Sequence, residues 1–111
     1  NRSDSEQSSG TVRPLRAAST AMPRIVTPGS FDDAKEVGDL FLNGQPVAVN
    51  INGVGHELAR RIIDFASGLC YGKGGQLKRL NHQVYLLTPT GVEVPVEEKL
   101  RISDEGLGDH H

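Results

Sequence analysis

His56-Glu57-Leu58-Ala59-Arg60-Arg61-Ile62-Ile63-Asp64-Phe65-Ala66-Ser67-Gly68-Leu69-Cys70-Tyr71, closed by Gly72-Lys73-Gly74-Gly75, is the stretch around which the chain is organised. At helical spacing Leu58, Ile62, Phe65 and Leu69 fall together, with Ala59, Ile63, Ala66 and Cys70 beside them. The combined stripe spans ~160°, wider than the ~100° that one core contact needs. The spacing therefore predicts a long amphipathic helix over 56–71 with apolar surface left for a second partner. Glu57 to Arg61 and Arg60 to Asp64 are i,i+4 pairs on the remaining arc. Gly68 interrupts the pattern at a cost of about 1 kcal/mol relative to Ala, which a close backbone approach by another element would explain.

Upstream, Arg24-Ile25-Val26-Thr27 reads as a short strand ended by Pro28-Gly29. Ser30 is the expected N-cap of a first helix over 31–42, its hydroxyl accepting from the Asp33 N–H. Asp32 and Asp33 suit the positive end of that helix. Phe31, Ala34, Val37, Leu40 and Phe41 form its apolar stripe, and Asn43-Gly44 supplies the stop. Pro46 to Ile51 lacks polar alternation and predicts a covered central strand. Strand, helix, strand in this order implies a right-handed parallel crossover.

Downstream, Gln76-Leu77-Lys78-Arg79-Leu80 and Gln83-Val84-Tyr85-Leu86-Leu87-Thr88 predict two strands joined at Asn81-His82. Val92 to Val96 alternates with period two, and Pro95 puts it at an edge or strand end. Residues 97–102 suggest a short helical turn. Residues 1–22, rich in Ser, Thr, Arg and Ala, predict a flexible tail, and residues 103–111 a polar one. The domain of 23–102 is then a small two-layer α/β sandwich: two helices on one face of a mixed sheet, in the order β-α-β-α-β-β-β.

A chain of 111 residues supports one domain, and 36% hydrophobic content without Trp gives it a modest, aliphatic core. A net charge of −2 argues against nucleic-acid binding through bulk charge. A single cysteine excludes an internal disulfide and a cysteine-based zinc site, so a reducing, cytoplasmic setting is the simplest reading. No apolar run is long enough to cross a membrane, and no signal-peptide pattern is visible. The chain begins at Asn1, which leaves open a preceding anchor or targeting segment.

Catalysis finds little support. His56 and His82 lack the spacing that places metal ligands on one helix face, and His110-His111 carries no functional weight. No nucleophile elbow accompanies the serines. Cys70, on the apolar arc, reads as a buried thiol, and no cofactor is implied. The Gly72-Lys73-Gly74-Gly75 loop resembles the backbone clamp of KH domains, which makes a single-stranded RNA-binding module the alternative function. A helix stop followed by a turn is the better reading, because a hairpin follows and not a second helix. The hairpin itself offers Lys78, Arg79 and Tyr85 as a small basic-aromatic patch, the composition of an interaction hot spot.

Phe31-Asp32-Asp33-Ala34-Lys35-Glu36-Val37, Pro46-Val47-Ala48-Val49-Asn50, Ala59-Arg60-Arg61-Ile62-Ile63-Asp64-Phe65-Ala66-Ser67-Gly68 and Val84-Tyr85-Leu86-Leu87-Thr88-Pro89 resemble, in order and spacing, the core domain of the SepF family of bacterial cell-division proteins. The resemblance covers about 23–96. It implies a non-enzymatic adaptor that dimerises, polymerises further, and binds the C-terminal tail of FtsZ, cytoplasmic at the septum and peripheral to the inner face of the cell membrane. An N-terminal amphipathic helix, which this sequence does not contain, holds the family to the membrane. The resemblance places tail binding on Arg79 and Tyr85, with Lys78 and Leu87 beside them, and Tyr85 stands where Phe is more usual. It places subunit association at Gly68, to which the wide stripe adds Leu58, Ile62, Phe65, Ala66 and Leu69.

Overall fold

In the computed structural model of the chain, residues 19–108 are described, with side chains as far as Asp104. The elements are β1 (Ser19–Thr20), β2 (Arg24–Val26), α1 (Asp32–Leu42), β3 (Val47–Asn50), α2 (His56–Lys73), β4 (Gln76–Asn81), β5 (Val84–Thr88), β6 (Val92–Glu93) and α3 (Val96–Gly108). Four strands form a mixed sheet in the order β2-β3-β5-β4. β2 and β3 run parallel across α1, as the strand-helix-strand order requires, and the β4–β5 hairpin completes the sheet antiparallel to β3.

α1 and α2 cover one face. Ala34, Val37 and Phe41 from α1 and Ile62, Ala66 and Cys70 from α2 bury together with Val47, Val49 and Leu87 of the sheet. This matches the two-helix layer expected from the sequence. The surplus stripe of α2 meets a partner within the chain: Phe65 packs edge-on against Phe31 with ring centres 5.9 Å apart. It also lies against Gly38 of α1, where an added Cβ would stand 3.0 Å from the Phe65 Cζ. The Glu57–Arg61 pair expected from spacing is not formed among the described residues, and Arg61 lies over the Phe31 ring at 4.5 Å instead.

The opposite face carries a helix where only a short turn was expected. α3 extends through Gly108, so the polar tail predicted from residue 103 is helical over most of its length. Ile102 joins Ala48, Val84, Leu86 and Val94 in a second buried cluster. The apolar pattern hides this helix because Val96 and Leu100 remain exposed and, among the described side chains, Ile102 is the apolar one buried against the sheet. Two hydrogen bonds to β4 add to the seat: the Asn81 side chain donates to the Ser103 carbonyl at 2.9 Å, and the Ser103 hydroxyl donates to the Leu80 carbonyl at 3.2 Å. Pro95 stands just before the helix and does not extend a strand, its carbonyl accepting from the Glu98 and Lys99 N–H groups. Arg101 grips the Glu98 carboxylate from one turn away and holds its pKa below the ordinary value.

Two further boundaries shift. Ser19–Thr20, assigned by composition to the flexible tail of 1–22, pairs in parallel with Val92–Glu93 through backbone bonds that a polar sequence does not announce. The rest of that expected tail, and the end of the C-terminal one with His110-His111, lie outside the described residues. At the start of α1 the Ser30 carbonyl, not its hydroxyl, accepts from the Asp33 N–H at 3.1 Å. The Asp33 carboxylate reaches back to accept from the Gly29 N–H at 2.7 Å. The cap is therefore carried from inside the helix.

Candidate functional site

The hairpin brings two of the expected residues together. Arg79 on β4 is directly opposite Tyr85 on β5, which is in turn opposite Val49 on β3. Cross-strand neighbours share a face, and here it is the α2 face. The Arg79 guanidinium stands 5.5 Å from the centre of the Tyr85 ring. Its Nε donates to the Asn81 carbonyl at 3.1 Å and its Nη2 to the His82 carbonyl at 3.3 Å. An exposed arginine is thus folded onto its own turn, stacked on an aromatic, with the remaining N–H groups available to a carboxylate.

Tyr85 forms one wall of an open groove of about 260 Å³ against α2, lined by Ile51, His56, Ala59, Arg60, Ile63 and Asp64. Ile51, Ala59, Ile63 and the Tyr85 ring give it an apolar interior, while Arg60, Asp64 and His56 rim it. An apolar interior with a charged rim is the kind of surface that can accept an apolar side chain of a peptide. The sequence reading missed the α2 wall. Its signal was the His56-Arg60-Ile63 spacing with Ala59, on the flank of the main stripe. Joining that flank to Tyr85 requires the strand register, which periodicity does not supply.

Lys78 and Leu87 do not join this patch. Lys78 is opposite Leu86, on the α3 face of the sheet. Leu87 is 0% exposed in the core beneath the helices, so a bound peptide does not reach it.

The residues expected at a subunit contact also divide. Ile62 and Ala66 are fully buried within the chain and offer no surface. Leu58, Phe65 and Leu69 are half-buried against the same core. Gly68 is exposed, and an added Cβ would meet nothing within 4 Å. Among the described residues no element makes the close approach that this glycine suggested.

The glycine run after α2 is committed to structure. Gly74 ends the helix with φ +76° and Gly75 donates to the Cys70 carbonyl at 2.9 Å. The Thr90 hydroxyl donates to the Gly74 carbonyl at 2.8 Å. The loop joins a helix to a strand, unlike the helix-to-helix clamp of a KH domain. Among the described residues no group of three or more His, Cys, Asp and Glu is arranged to hold a metal ion, and no helix is long and apolar enough to cross a membrane.

Comparison with known proteins gives a consistent picture. A family model described as cell division protein SepF matches residues 24–94. A cell division protein SepF from Thermobifida fusca is 38% identical over 97 residues, which are 85% of this chain and 56% of that protein. The corresponding protein of Kocuria rhizophila is 41% identical over 80 residues, 72% of this chain and 43% of its own length. The chain thus spans about half the length of the curated relatives it matches. Among solved structures, a SepF-like protein from Archaeoglobus fulgidus superposes with a TM-score of 0.60 at 19% identity, covering 68% of this chain and 94% of that one. At that identity the likeness bears on the fold.

Proposed function

We propose that this chain, which belongs to the SepF family of cell-division proteins, is the FtsZ-binding part of a non-enzymatic adaptor that ties the division ring to the membrane. The observation that carries the reading is the Arg79 guanidinium stacked on Tyr85, the residue that walls the α2–β5 groove. A short tail with acidic and apolar residues suits it: the carboxylates meet Arg79, and an apolar side chain enters between Tyr85 and Ile63. Cation, aromatic and apolar cleft together make the kind of centre on which a small interface concentrates its energy.

The protein acts as a dimer, and Gly68 marks the contact. An exposed helix glycine with open space around it lets a second backbone approach closely, with the Leu58, Phe65 and Leu69 flank beside it. Two tail sites on a dimer, and more on a polymer, gain avidity against a filament that displays many tails. In the full-length protein an N-terminal amphipathic helix holds this assembly at the inner face of the membrane at the septum.

The test is titration of a synthetic FtsZ C-terminal peptide against the wild type, Arg79→Glu and Tyr85→Ala. Both variants are expected to lose most of the affinity; equal binding by all three proteins would sink the assignment. Light scattering across a concentration series tests the dimer, and a monomer at high concentration would contradict it.

A further inference from the structure

One side chain in the hairpin links the groove to the opposite face of the sheet. The register passes from Arg79 opposite Tyr85 to Asn81 opposite Val84, so Leu80 is an extra residue and the strand bulges there. The bulge lets both Leu80 and Asn81 address α3. Leu80 packs on the cluster sealed by Ile102, and the Asn81 Nδ2 donates to the Ser103 carbonyl at 2.9 Å. The Asn81 Oδ1 accepts from the Gln83 N–H at 2.7 Å. These two bonds fix the residue whose own carbonyl accepts from the Arg79 Nε at 3.1 Å. A surface arginine has many rotamers, so its placement depends on how firmly its acceptors are held.

We propose that Asn81 is a positioning residue for the groove: it ties the seat of α3 to the Arg79 guanidinium, so that the cation is already in place when a carboxylate arrives. The proposal rests on the reading of Arg79 and Tyr85 as the tail site. Asn81 turns its side chain to α3 and acts on the tail only through Arg79.

A double-mutant cycle on the full chain tests this, read by titration of the synthetic FtsZ C-terminal peptide. Asn81→Ala is expected to weaken binding roughly three- to tenfold, the worth of one hydrogen bond. With Arg79 already replaced by Ala, the same change is expected to cost less than about twofold, because the two residues act as a unit. Equal losses in both backgrounds would overturn the proposal. Ser103→Ala controls for a looser α3: it removes the hydroxyl bond to Leu80 but leaves the carbonyl that Asn81 uses. Its affinity is expected to stay near wild type while its melting temperature falls; a loss matching that of Asn81→Ala would assign the effect to α3 in general and overturn the proposal.

The Arg79 Nε–H resonance gives a readout without peptide. It is expected to shift and to exchange faster in Asn81→Ala and to hold its place in Ser103→Ala. If the wild type fails to bind peptide while that resonance still moves, the tail-binding reading falls and the coupling of Asn81 to Arg79 stands. An unmoved resonance overturns the coupling whatever the peptide does.

Discussion

Gly75 and Phe41 touch so closely that no side chain fits between them: a Cβ on Gly75 would stand 2.6 Å from the Phe41 Cζ and 2.7 Å from the Thr88 carbonyl oxygen. One neighbour is backbone, so it cannot swing aside. Gly75→Ala is therefore expected to destabilise the fold by about 1–3 kcal/mol through overpacking, measured by urea denaturation. The same contact gives Gly75 a packing role that needs no nucleic acid. A gel shift with single-stranded RNA is expected to show no retarded species, and salt-sensitive binding that depends on Lys73 would reverse that conclusion.

Gly68 makes the opposite case. Its Cβ direction is open, so in an isolated chain Gly68→Ala should gain up to about 1 kcal/mol of helix propensity. If the open space is filled by a second subunit, the same change weakens self-association. We expect a higher melting temperature at high dilution together with a weaker dimer in sedimentation equilibrium. A dimer of unchanged strength would remove Gly68 from the contact.

The contrast between these glycines shows what the sequence can carry. The element order from β2 to β6, the parallel crossover over 24–50, the long helix and the hairpin were legible because each rests on local periodicity and stop residues. The identity of the cover on the α2 stripe was not, since Phe65 against Phe31 and Gly38 joins residues far apart in the chain. α3 was nearly invisible because, among the described residues, Ile102 and two hydrogen bonds seat it where a stripe would be expected. At the site, Arg79 and Tyr85 were marked by composition and by the family resemblance, and the strand register is what sets them opposite each other. Leu87 was misplaced because its position on the same face lies under the helices, and Lys78 because alternation turns it to the other side.

The Arg79 geometry separates two substitutions that look equally mild. Lysine has no planar fork to span the Asn81 and His82 carbonyls while stacked on a ring. Arg79→Lys is expected to weaken tail binding by roughly 1 kcal/mol, about fivefold, although charge is kept. Tyr85→Phe keeps the ring and is expected to change affinity by less than about twofold. Raising salt should weaken the wild type more than Arg79→Ala. Peptide titrations at two ionic strengths check all three, and an Arg79→Lys protein that binds as the wild type does would show that charge alone recruits the tail.

Cys70 supplies a stability probe that leaves the site untouched. Its thiol is 3% exposed, its Sγ donates to the Gln76 carbonyl at 3.5 Å, and burial raises its pKa above the ordinary 9.0. Cys70→Ala is expected to cost about 1–2 kcal/mol from lost apolar burial and one weak hydrogen bond. The pH dependence has a definite sign. Well below pH 9.0 the thiol is protonated in both states and its contribution is complete. As pH rises past that value the unfolded thiol ionises first while the buried one keeps its proton, so the unfolded state gains and stability falls. Urea denaturation of the wild type and Cys70→Ala at pH 7, 9 and 10 should therefore show a difference that shrinks with pH. At pH 8 the native thiol should react with a thiol reagent only as fast as the α2–β4 junction opens. Immediate labelling of the folded protein, or a difference that grows with pH, would place Cys70 outside the core.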